Sequence, residues 1–401
     1  MGELSSSERQ TVERAGAEPM LDQVLAWSAV NSGSRNLGGL ERMAELLADA
    51  FSALPGVLRL ENPAPVESVD SAGKAIAIRH ARHLHLSVRP TAPVQLLFTG
   101  HMDTVFGADH AFQETRWLED GVLNGPGVAD MKGGLAVMLA ALKSIEKSCV
   151  AERIGYEVVV NSDEEVGSPA SAPLLARAAA GKRAALTYEP AALPDGTLAG
   201  ARPGSGNFSI VIHGRSAHAG RNPEDGRNAL LAAADLALRL DRLKRDGLTV
   251  NPSRIDGGGP TNVVPDLAIL RVNLRPRTPQ LEAEAKREIE TLVAAVAAER
   301  DVRIDLHGGF GRPPKPLTSD AEALFNLVKQ AGADLGQSIA WQPSGGVCDG
   351  NNIAACGVPV VDTMGVRGGK IHSMEEFLIV DSLAECAALS ALTILRLAEG
   401  A

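Results

Sequence analysis

Cysteine is scarce in this sequence of 401 residues, and its spacing excludes several kinds of site. No two of the four cysteines stand in the CxxC arrangement typical of thiolate zinc knuckles, and their scatter does not indicate a disulfide framework. We therefore expect buried reduced thiols, and only Cys348 falls in a glycine-rich loop. The four are Cys149, Cys348, Cys356 and Cys386.

The sequence also lacks long apolar runs and an excess of basic residues. No stretch of about 18 apolar residues is available to span a bilayer, and the N-terminal segment MGELSSSERQTVERAG has no apolar signal-peptide core. The formal net charge of −10 disfavours nucleic acid and anionic membrane surfaces as partners. We therefore predict a soluble, cytoplasmic protein whose partners are small molecules.

Apolar residues, in contrast, are plentiful enough for a large core. Hydrophobic residues make up 45% of the chain, and its length accommodates two domains. Continuous apolar runs at Val94–Thr99, Tyr156–Asn161 and Ala184–Tyr188 are typical of strands buried on both faces. Strands that alternate with helices predict an α/β fold with a mostly parallel sheet, in which functional groups collect beyond the carboxyl ends of the strands.

The segment between residues 203 and 312 has a different pattern. Its predicted elements follow the order βαββαβ, which is typical of a ferredoxin-like arrangement. Glycines and prolines at both ends, in 203–206 and 308–314, are typical of hinges. We therefore predict a discontinuous catalytic domain, residues 1–202 and 313–401, with a smaller domain inserted at 203–312.

Seven acidic or histidine residues lie where a predicted strand ends or a glycine-rich loop turns. Each taken alone has an ordinary structural explanation, such as a hydrogen-bonded histidine, a helix cap or a solvated turn. These explanations do not combine easily, because five potential metal ligands would then share the strand ends of one sheet by accident. The seven are His101, Asp103, Asp130, Glu164, Glu165, Glu189 and His372.

Histidine and carboxylate ligands without thiolates are typical of a catalytic zinc site, and manganese or cobalt would also be tolerated. The charge of Asp130, Glu165 and Glu189 favours two ions, because three negative charges and one bridging hydroxide balance two divalent cations. Paired ions lower the pKa of the water between them and polarise a substrate carbonyl. The sequence therefore indicates a two-metal hydrolytic site.

Two further carboxylates have a different predicted task. Asp103 lies two residues after His101 on an extended segment, so it would face the same side and accept the ring's other N–H. Glu164, adjacent to the ligand Glu165, would be free to act as general base. In that role it takes a proton from the water and hands it to the leaving nitrogen.

Six motifs occur in an order that resembles the M20 metallopeptidases, in particular the glutamate carboxypeptidase branch. They are GHMDTV (100–105), GPGVADMKGG (125–134), SDEEVGS (162–168), YEPA (188–191), GRSAHAG (214–220) and GKIHS (369–373). The resemblance covers nearly the whole chain. It implies that His101 and Glu189 hold one zinc, that Glu165 and His372 hold the other, that Asp130 bridges them, and that Glu164 is the catalytic base.

The resemblance also implies a role for the inserted domain. In similar enzymes this domain is a lid that mediates dimerisation, and the histidine matching His218 reaches the partner's active site to stabilise the tetrahedral oxyanion. Asn262 and Arg275 match positions that contact the substrate carboxylate, for which the planar fork of arginine is suited. Gly345 and Gly346 match a glycine-rich loop near the substrate. A homodimer is therefore expected.

Two departures from the family pattern concern the substrate pocket. The loop SGGVCDGNN (344–352) is less compact than the GGTD of many relatives. The stretch ARPG (201–204) stands where relatives often have ARKG, so the family's lysine is missing. Arg202 is the candidate to contact the substrate side chain in its place.

The predicted function is cleavage of the amide bond in a small N-acyl amino acid or peptide with a free C-terminal carboxylate. Alternatives on the same metal site are an N-acyl-amino-acid or acetylornithine-type deacetylase and a di- or tripeptidase. Hydrolysis of carbamoyl amino acids ranks lower, because such relatives usually have histidine in place of Glu189. A non-catalytic binding protein would lack a ligand or the base, and this sequence lacks neither.

Overall fold

The computed structural model describes residues 4–400. In this range the α-helices are α1 (Ser6–Gly16), α2 (Met20–Ser28), α3 (Leu37–Phe51), α4 (Gly134–Glu146), α5 (Ala172–Ala179), α6 (Ala229–Asp241), α7 (Pro279–Arg300), α8 (Ser319–Asp334), α9 (Asp349–Ala355) and α10 (Asp381–Glu399). The strands are β1 (Val57–Glu61), β2 (Val66–Val69), β3 (Ala75–Ile78), β4 (His83–Val88), β5 (Val94–His101), β6 (Arg116–Glu119), β7 (Val122–Asn124), β8 (Ile154–Asn161), β9 (Ala184–Thr187), β10 (Leu198–Ala199), β11 (Ser205–His213), β12 (Leu248–Gly257), β13 (Leu267–Pro276), β14 (Arg303–Arg312), β15 (Trp341–Gln342), β16 (Val360–Val361), β17 (Gly368–Gly369) and β18 (Phe377–Ile379). None of these helices has both the length and the apolar character needed to cross a membrane.

The central sheet has six strands in the order β1-β4-β8-β5-β9-β16. Strands β8, β5, β9 and β16 are parallel, whereas β1 and β4 pair in antiparallel fashion. Alternate residues of β5 pack in opposite layers: Leu96 and Phe98 join the core under α4 and α10, and Leu97 joins the core under α5. The predicted α/β fold with a mostly parallel sheet is confirmed.

A second sheet is antiparallel, with four strands in the order β12-β13-β11-β14. Helices α6 and α7 cover one of its faces, where Ile210, Leu236 and Ile289 pack together. The elements follow the order βαββαβ that the sequence pattern predicts. That this layer behaves as a separate lid domain spanning residues 203–312 stays a prediction.

The uncovered face of the second sheet contacts the β2–β3 hairpin, which leaves the central sheet after β1. Val69 of the hairpin packs against Val211 and Ile269 on this face. Arg271 Nη2 also donates a hydrogen bond to the Val69 carbonyl oxygen at 2.9 Å. The remaining residues of the face are mainly polar and line a cleft between the two sheets.

The chain crosses from the central sheet to the second sheet before β11 and crosses back after β14, and these two crossings lie side by side. Arg202 and Lys315 are joined by two backbone hydrogen bonds, of 2.9 and 3.0 Å. Both side chains form ion pairs with the buried Asp362, at 2.8 Å from Arg202 Nε and 2.9 Å from Lys315 Nζ. Burial raises the pKa of Asp362, but the two cations overcome this effect and lower it to about 2. One carboxylate therefore ties both crossings to the end of β16.

The N-terminal segment differs from the expectation. In the first fifty residues the apolar spacing predicts two helices, near Met20–Val30 and Leu37–Phe51. The structure has these two as α2 and α3, and it also forms α1 at Ser6–Gly16, with a capping box between Ser5 and Glu8. The helix packs against α4 and α10. Its fully buried positions are the small residues Thr11 and Ala15, so the segment carries no strong apolar stripe to reveal it.

Candidate metal centre and substrate cleft

Three adjacent parallel strands bring four of the predicted site residues to one edge of the central sheet. β5 ends at His101, β8 is followed after two residues by Glu164 and Glu165, and β9 is followed after one residue by Glu189. Because β8, β5 and β9 run parallel, their carboxyl ends meet at the same edge. The structure therefore brings these four residues together.

Asp130 reaches the same edge from a distorted turn. Residues Val128–Gly133 form a π-type turn in which Asp130 has φ −115° and ψ 87°, and α4 begins only at Gly134. The side chain is therefore not an N-cap of α4, which is the ordinary explanation for a carboxylate before a helix. It points instead into the buried site.

Glu376 holds this turn in place, and the sequence patterns did not single it out. Its carboxylate accepts the backbone N–H groups of Gly127, Ala129 and Asp130 at 3.0–3.2 Å. Burial raises the pKa of Glu376 to about 8, and the negative charge of Asp130 adds to the shift. The one sequence feature that points to Glu376 is its position four residues after His372. Its contacts with the turn span about 250 residues of chain, so no local pattern predicts them.

The five predicted ligands form two clusters that share Asp130. In the first, His101 Nε2 lies 3.1 Å from Asp130 Oδ1 and 3.6 Å from Glu189 Oε2. In the second, His372 Nε2 lies 3.3 Å from Asp130 Oδ2 and 3.2 Å from Glu165 Oε2. His372 is the most exposed of the five, with 53% of its side chain accessible. Each oxygen of Asp130 therefore serves one cluster.

These separations fit a pair of metal ions. Ligands that bind zinc tetrahedrally at about 2.0–2.1 Å lie roughly 3.3 Å from one another, which is the spacing observed in both clusters. The geometry also brings together the potential ligand sets His101, Asp130, Glu165 and His101, Glu164, Glu189. Nitrogen and oxygen donors of this kind suit zinc, manganese or cobalt.

The electrostatics of the clusters favour positive charge between the carboxylates. Burial opposes protonation of His101, but Glu189 and its other acidic neighbours raise the pKa of the ring well above its usual value. Hydrogen bonds to Asp130 and Glu165 raise the pKa of His372 to about 11. Burial raises the pKa of Glu165 to about 7 and also raises that of Glu189. Divalent cations would supply the charge that these buried acids require.

Asp103 has more contacts than the sequence predicts. His101 Nδ1 lies 2.9 Å from the backbone carbonyl oxygen of Asp103 and 3.5 Å from its carboxylate. The carboxylate also accepts the backbone N–H groups of Glu164 and Glu165 and the Ser34 hydroxyl, at 2.7–3.1 Å. Asp103 therefore positions His101 and also the turn that carries Glu164 and Glu165.

Glu164 is buried beside the ligands and is paired with Arg312, a residue that the sequence patterns did not identify. Arg312 Nη2 lies 2.7 Å from Glu164 Oε1, and it donates a hydrogen bond to the Glu164 carbonyl oxygen at 2.9 Å. Burial raises the pKa of Glu164 well above its usual value, although the charge of Arg312 opposes this shift. Arg312 is the last residue of β14, so the second sheet contributes to this site.

The cleft next to the clusters has a volume of about 1560 Å³ and includes the predicted substrate contacts Arg275 and Gly346. Arg275 Nη1 donates a hydrogen bond to the Gly345 carbonyl oxygen at 2.9 Å, and Arg275 Nε donates one to Asn273. Neither partner carries a negative charge. Within residues 4–400, the guanidinium of Arg275 therefore has no anionic partner in the cleft.

Arg202 lines the cleft but is not free to contact a substrate side chain as the sequence predicts. Its Nε and Nη2 atoms donate to the carboxylate of Asp362 at 2.8 and 3.0 Å. Its Nη1 atom donates to Ser344 and to the Gly346 carbonyl oxygen. The residue therefore supports the glycine-rich loop.

His218 and Asn262 lie together in two loops beside the second sheet, outside the lining of the cleft. Both are exposed, and the Ala219 N–H next to His218 donates to the Asn262 carbonyl oxygen at 3.0 Å. Neither residue lines the cleft of its own chain. Within one chain, the structure therefore joins these two residues to each other but not to Arg275.

Comparisons with known proteins agree with this geometry. The family model for peptidase family M20/M25/M40 matches residues 97–396. Carboxypeptidase G2 of a Pseudomonas species is 31% identical over 314 residues, which cover 76% of this chain and 74% of that protein. A succinyl-diaminopimelate desuccinylase of Maricaulis maris is 30% identical, with coverages of 75% and 80%. The fold matches a tripeptidase of Staphylococcus aureus with a TM-score of 0.72 and 24% identity, over 97% and 99% of the chains. The chain belongs to peptidase family M20/M25/M40 and is a metal-dependent peptide hydrolase.

Proposed function

We propose that this enzyme uses two zinc ions to cleave the amide bond of a small N-acyl amino acid or peptide with a free carboxylate. The observation that carries the proposal is the sharing of Asp130, whose two oxygens each face one histidine at 3.1 and 3.3 Å. One metal would be held by His101 and Glu189, and the other by Glu165 and His372. The relatives named carboxypeptidase and desuccinylase both support hydrolysis beside a carboxylate.

In the proposed mechanism the protein residues position the reactants and move one proton. Metal ions held by the five ligands would polarise the scissile carbonyl and lower the pKa of the attacking water. Glu164 removes a proton from that water and returns it to the leaving nitrogen. Through its hydrogen bonds, Asp103 holds His101 and the backbone of Glu164 in position during both proton transfers.

Recognition of the free carboxylate is assigned to Arg275. Its guanidinium lies in the cleft and pairs with no carboxylate of the described residues, and its planar fork suits a carboxylate through two hydrogen bonds. Asn262 would assist from a second copy of the chain, since it does not line the cleft of its own chain. The glycine-rich loop at Gly345 and Gly346 lets the substrate approach the backbone closely.

A homodimer would bring His218 and Asn262 to the cleft of the neighbouring subunit. Apolar side chains are exposed on α6, which covers one face of the second sheet, and on the edge strand β12. Leu231 and Leu238 of α6 are 57% and 64% accessible, and Ile255 of β12 is 38% accessible. Such a surface suits an interface between two copies. His218 of the second copy would then stabilise the oxyanion that develops at the scissile carbonyl.

Elemental analysis and hydrolysis assays of the wild type and Glu164→Ala test the hydrolytic proposal. We expect about two zinc ions per chain in both proteins, and chelator-sensitive cleavage of N-acyl-glutamate in the wild type. The substitution should lower kcat by about 10²- to 10⁴-fold, because the proton acceptor is removed. Glu119→Ala, at an exposed strand position, is the matched control. Full activity of Glu164→Ala would overturn the assignment of the base.

The same assay separates the alternative activities. Varying the acyl half and the amine half of the substrate independently distinguishes a carboxypeptidase from a deacetylase or a di- or tripeptidase. Metal-free protein that cleaves no amide would favour a binding protein instead.

Mixing two inactive variants tests the shared site. In a heterodimer of Glu164→Ala and His218→Ala, one of the two sites contains an intact Glu164 and receives an intact His218 from the other subunit. We expect an equimolar mixture, after subunit exchange, to regain about one quarter of wild-type activity, since half the dimers carry one complete site. A mixture as inactive as the separate variants, with subunit exchange verified by mass spectrometry, would contradict the assignment of His218.

A further inference from the structure

One end of the cleft lies where the β2–β3 hairpin reaches the second sheet. On β11, the alternate residues Ser205, Asn207 and Ser209 line the cleft. Val211, the next residue on the same face, is buried against Val69 of the hairpin and does not line the cleft. Along this face, the hairpin therefore closes the cleft immediately after Ser209.

The tip of the hairpin is attached to the second sheet by polar and apolar contacts. Arg271 Nη2 donates to the Val69 carbonyl oxygen and Arg271 Nη1 donates to Ser209 Oγ, both at 2.9 Å. Gly73, in the turn of the hairpin, lies so close to the sheet that a Cβ at this position would be 2.8 Å from Val211 Cγ1. One arginine thus joins the tip to the last cleft residue of β11.

The base of the hairpin is attached to the central layer. The Ala64 N–H donates to the carbonyl oxygen of Ala170, in the turn before α5, at 3.1 Å. Val66 and Ile78, which pair at the base, line the cleft together with Ala75 of β3. Within residues 4–400, β2 and β3 pair only with each other. The hairpin is therefore a bridge between the two layers that is held at both ends.

The length of the cleft can be measured along β11. Ser205 pairs with Arg312, whose side chain lies 2.7 Å from Glu164, so Ser205 marks the end next to the metal centre. Ser209, which Arg271 joins to the hairpin, marks the other end. At about 3.3 Å per residue, the four residues between these positions span roughly 13 Å.

We propose that the β2–β3 hairpin determines how long the acyl half of the substrate can be. The proposal rests on the amide hydrolysis proposed above, with the free carboxylate on Arg275. Arg275 belongs to the metal end of the cleft, because its neighbour Leu274 pairs with Gly206. The acyl half then points towards the hairpin, and roughly 13 Å holds about four extended residues. The substrates are thus short acyl amino acids and peptides of up to about four residues, and longer chains meet the hairpin.

The test compares two substrates that differ in length alone. N-acetyl-alanyl-glutamate fits the cleft, whereas its homologue with six alanines is longer than the distance to the hairpin. Both release glutamate, so one assay follows both reactions. We expect the wild type to prefer the short substrate in kcat/KM by at least about 10-fold, because the long one is excluded sterically.

Detaching the tip should reduce this preference. Val69→Asp places a charge in the apolar contact with Val211 and Ile269, and we expect the ratio of the two kcat/KM values to fall by about 10-fold. Ile76→Asp is the matched control, because Ile76 is on the same hairpin but is 41% exposed and does not line the cleft. Replacement of residues 67–77 by a short glycine-serine turn removes the tip altogether and should reduce the ratio at least as much.

The ratio separates the role of the hairpin from a general loss of structure, which lowers both activities together. Equal or better cleavage of the long substrate by the wild type would overturn the length limit. An unchanged ratio in both hairpin variants, with circular dichroism to verify folding, would overturn the role of the hairpin. Either result leaves the hydrolytic proposal intact, whereas failure of the wild type to cleave any amide would overturn both.

Discussion

The two walls of the cleft are built from different kinds of residues. On the edge of the central sheet, the side chains of Asp130, Glu164 and Glu189 are buried and each has a histidine or arginine nitrogen within 3.6 Å. On the second sheet, most of the side chains that line the cleft are neutral and exposed or half-buried, including Ser209, Asn251 and Asn273, and the charged exceptions are Arg275 and the buried Arg312.

This difference indicates a division of labour between the walls. Buried charges held by several partners are suited to bond cleavage, because their geometry is set before the substrate arrives. Neutral, accessible side chains are suited to contacts that vary with the substrate. Substitutions on the first wall should therefore abolish metal binding or turnover, and most substitutions on the second wall should change selectivity.

The most severe way to break the first wall is Asp130→Asn. The neutral amide removes the negative charge that both clusters share, so we expect loss of both metals and a fall in kcat/KM on the order of 10⁴-fold or more. Metal content by elemental analysis and steady-state kinetics measure the two effects. Asp120→Asn, in an exposed turn, is the control. Two bound metals in Asp130→Asn would contradict the shared-ligand geometry.

Asp362→Asn tests the connection between the walls, with an intermediate expected effect. It leaves Arg202 and Lys315 buried without their anion, which should cost about 3–5 kcal/mol in the free energy of unfolding at neutral pH. Because the pKa of Asp362 is lowered to about 2, its contribution is fully present above its unfolded pKa of about 3.9 and is lost as pH falls through about 2.

Urea unfolding of wild type and Asp362→Asn between pH 7 and pH 2 measures this difference. The gap between the two proteins should be constant above about pH 4 and should shrink below it, since protonated Asp362 resembles the amide. Asp246→Asn, a fully exposed partner of Arg277, should cause no measurable change. A gap that widens at low pH would be inconsistent with the ion pairs.

Arg312→Gln is expected to have the smallest effect of the three changes. It tests the comparison of the two walls directly, because Arg312 belongs to the second sheet and contacts the proposed base Glu164. Loss of its charge-assisted contact should lower kcat by roughly 10- to 100-fold and leave KM and metal content nearly unchanged. Arg312→Lys should restore part of kcat, which a purely structural loss would not permit. Equal effects on kcat and KM would indicate a role in substrate binding instead.

The sequence predicts the ligand edge well because the signals there are local. Each of His101, Glu165 and Glu189 follows a continuous apolar run, and buried parallel strands end at one edge. The order of elements in the second sheet is equally local. These features need only the periodicity of a few residues and the rules of strand connection.

The residues that position the ligands could not be predicted in this way. Arg312 contacts Glu164 across 148 residues of chain, and Glu376 contacts Asp130 across 246. In the sequence, Arg312 is an arginine before a proline pair and Glu376 is the second of two glutamates, as solvated loops often contain. The sequence likewise predicts that Arg202 contacts the substrate, because no local pattern identifies its buried partner Asp362, 160 residues away.

The side-by-side crossings at Arg202 and Lys315 have a consequence for protein engineering. Because the chain leaves and re-enters the central layer at paired positions, the intervening segment can be replaced by a short connection without re-routing any strand of that layer. The five predicted ligands, from His101 to His372, all lie outside the segment, whereas Arg275 and Arg312 lie within it. We therefore predict that exchanging the second sheet for another one would retain the five ligands and alter recognition.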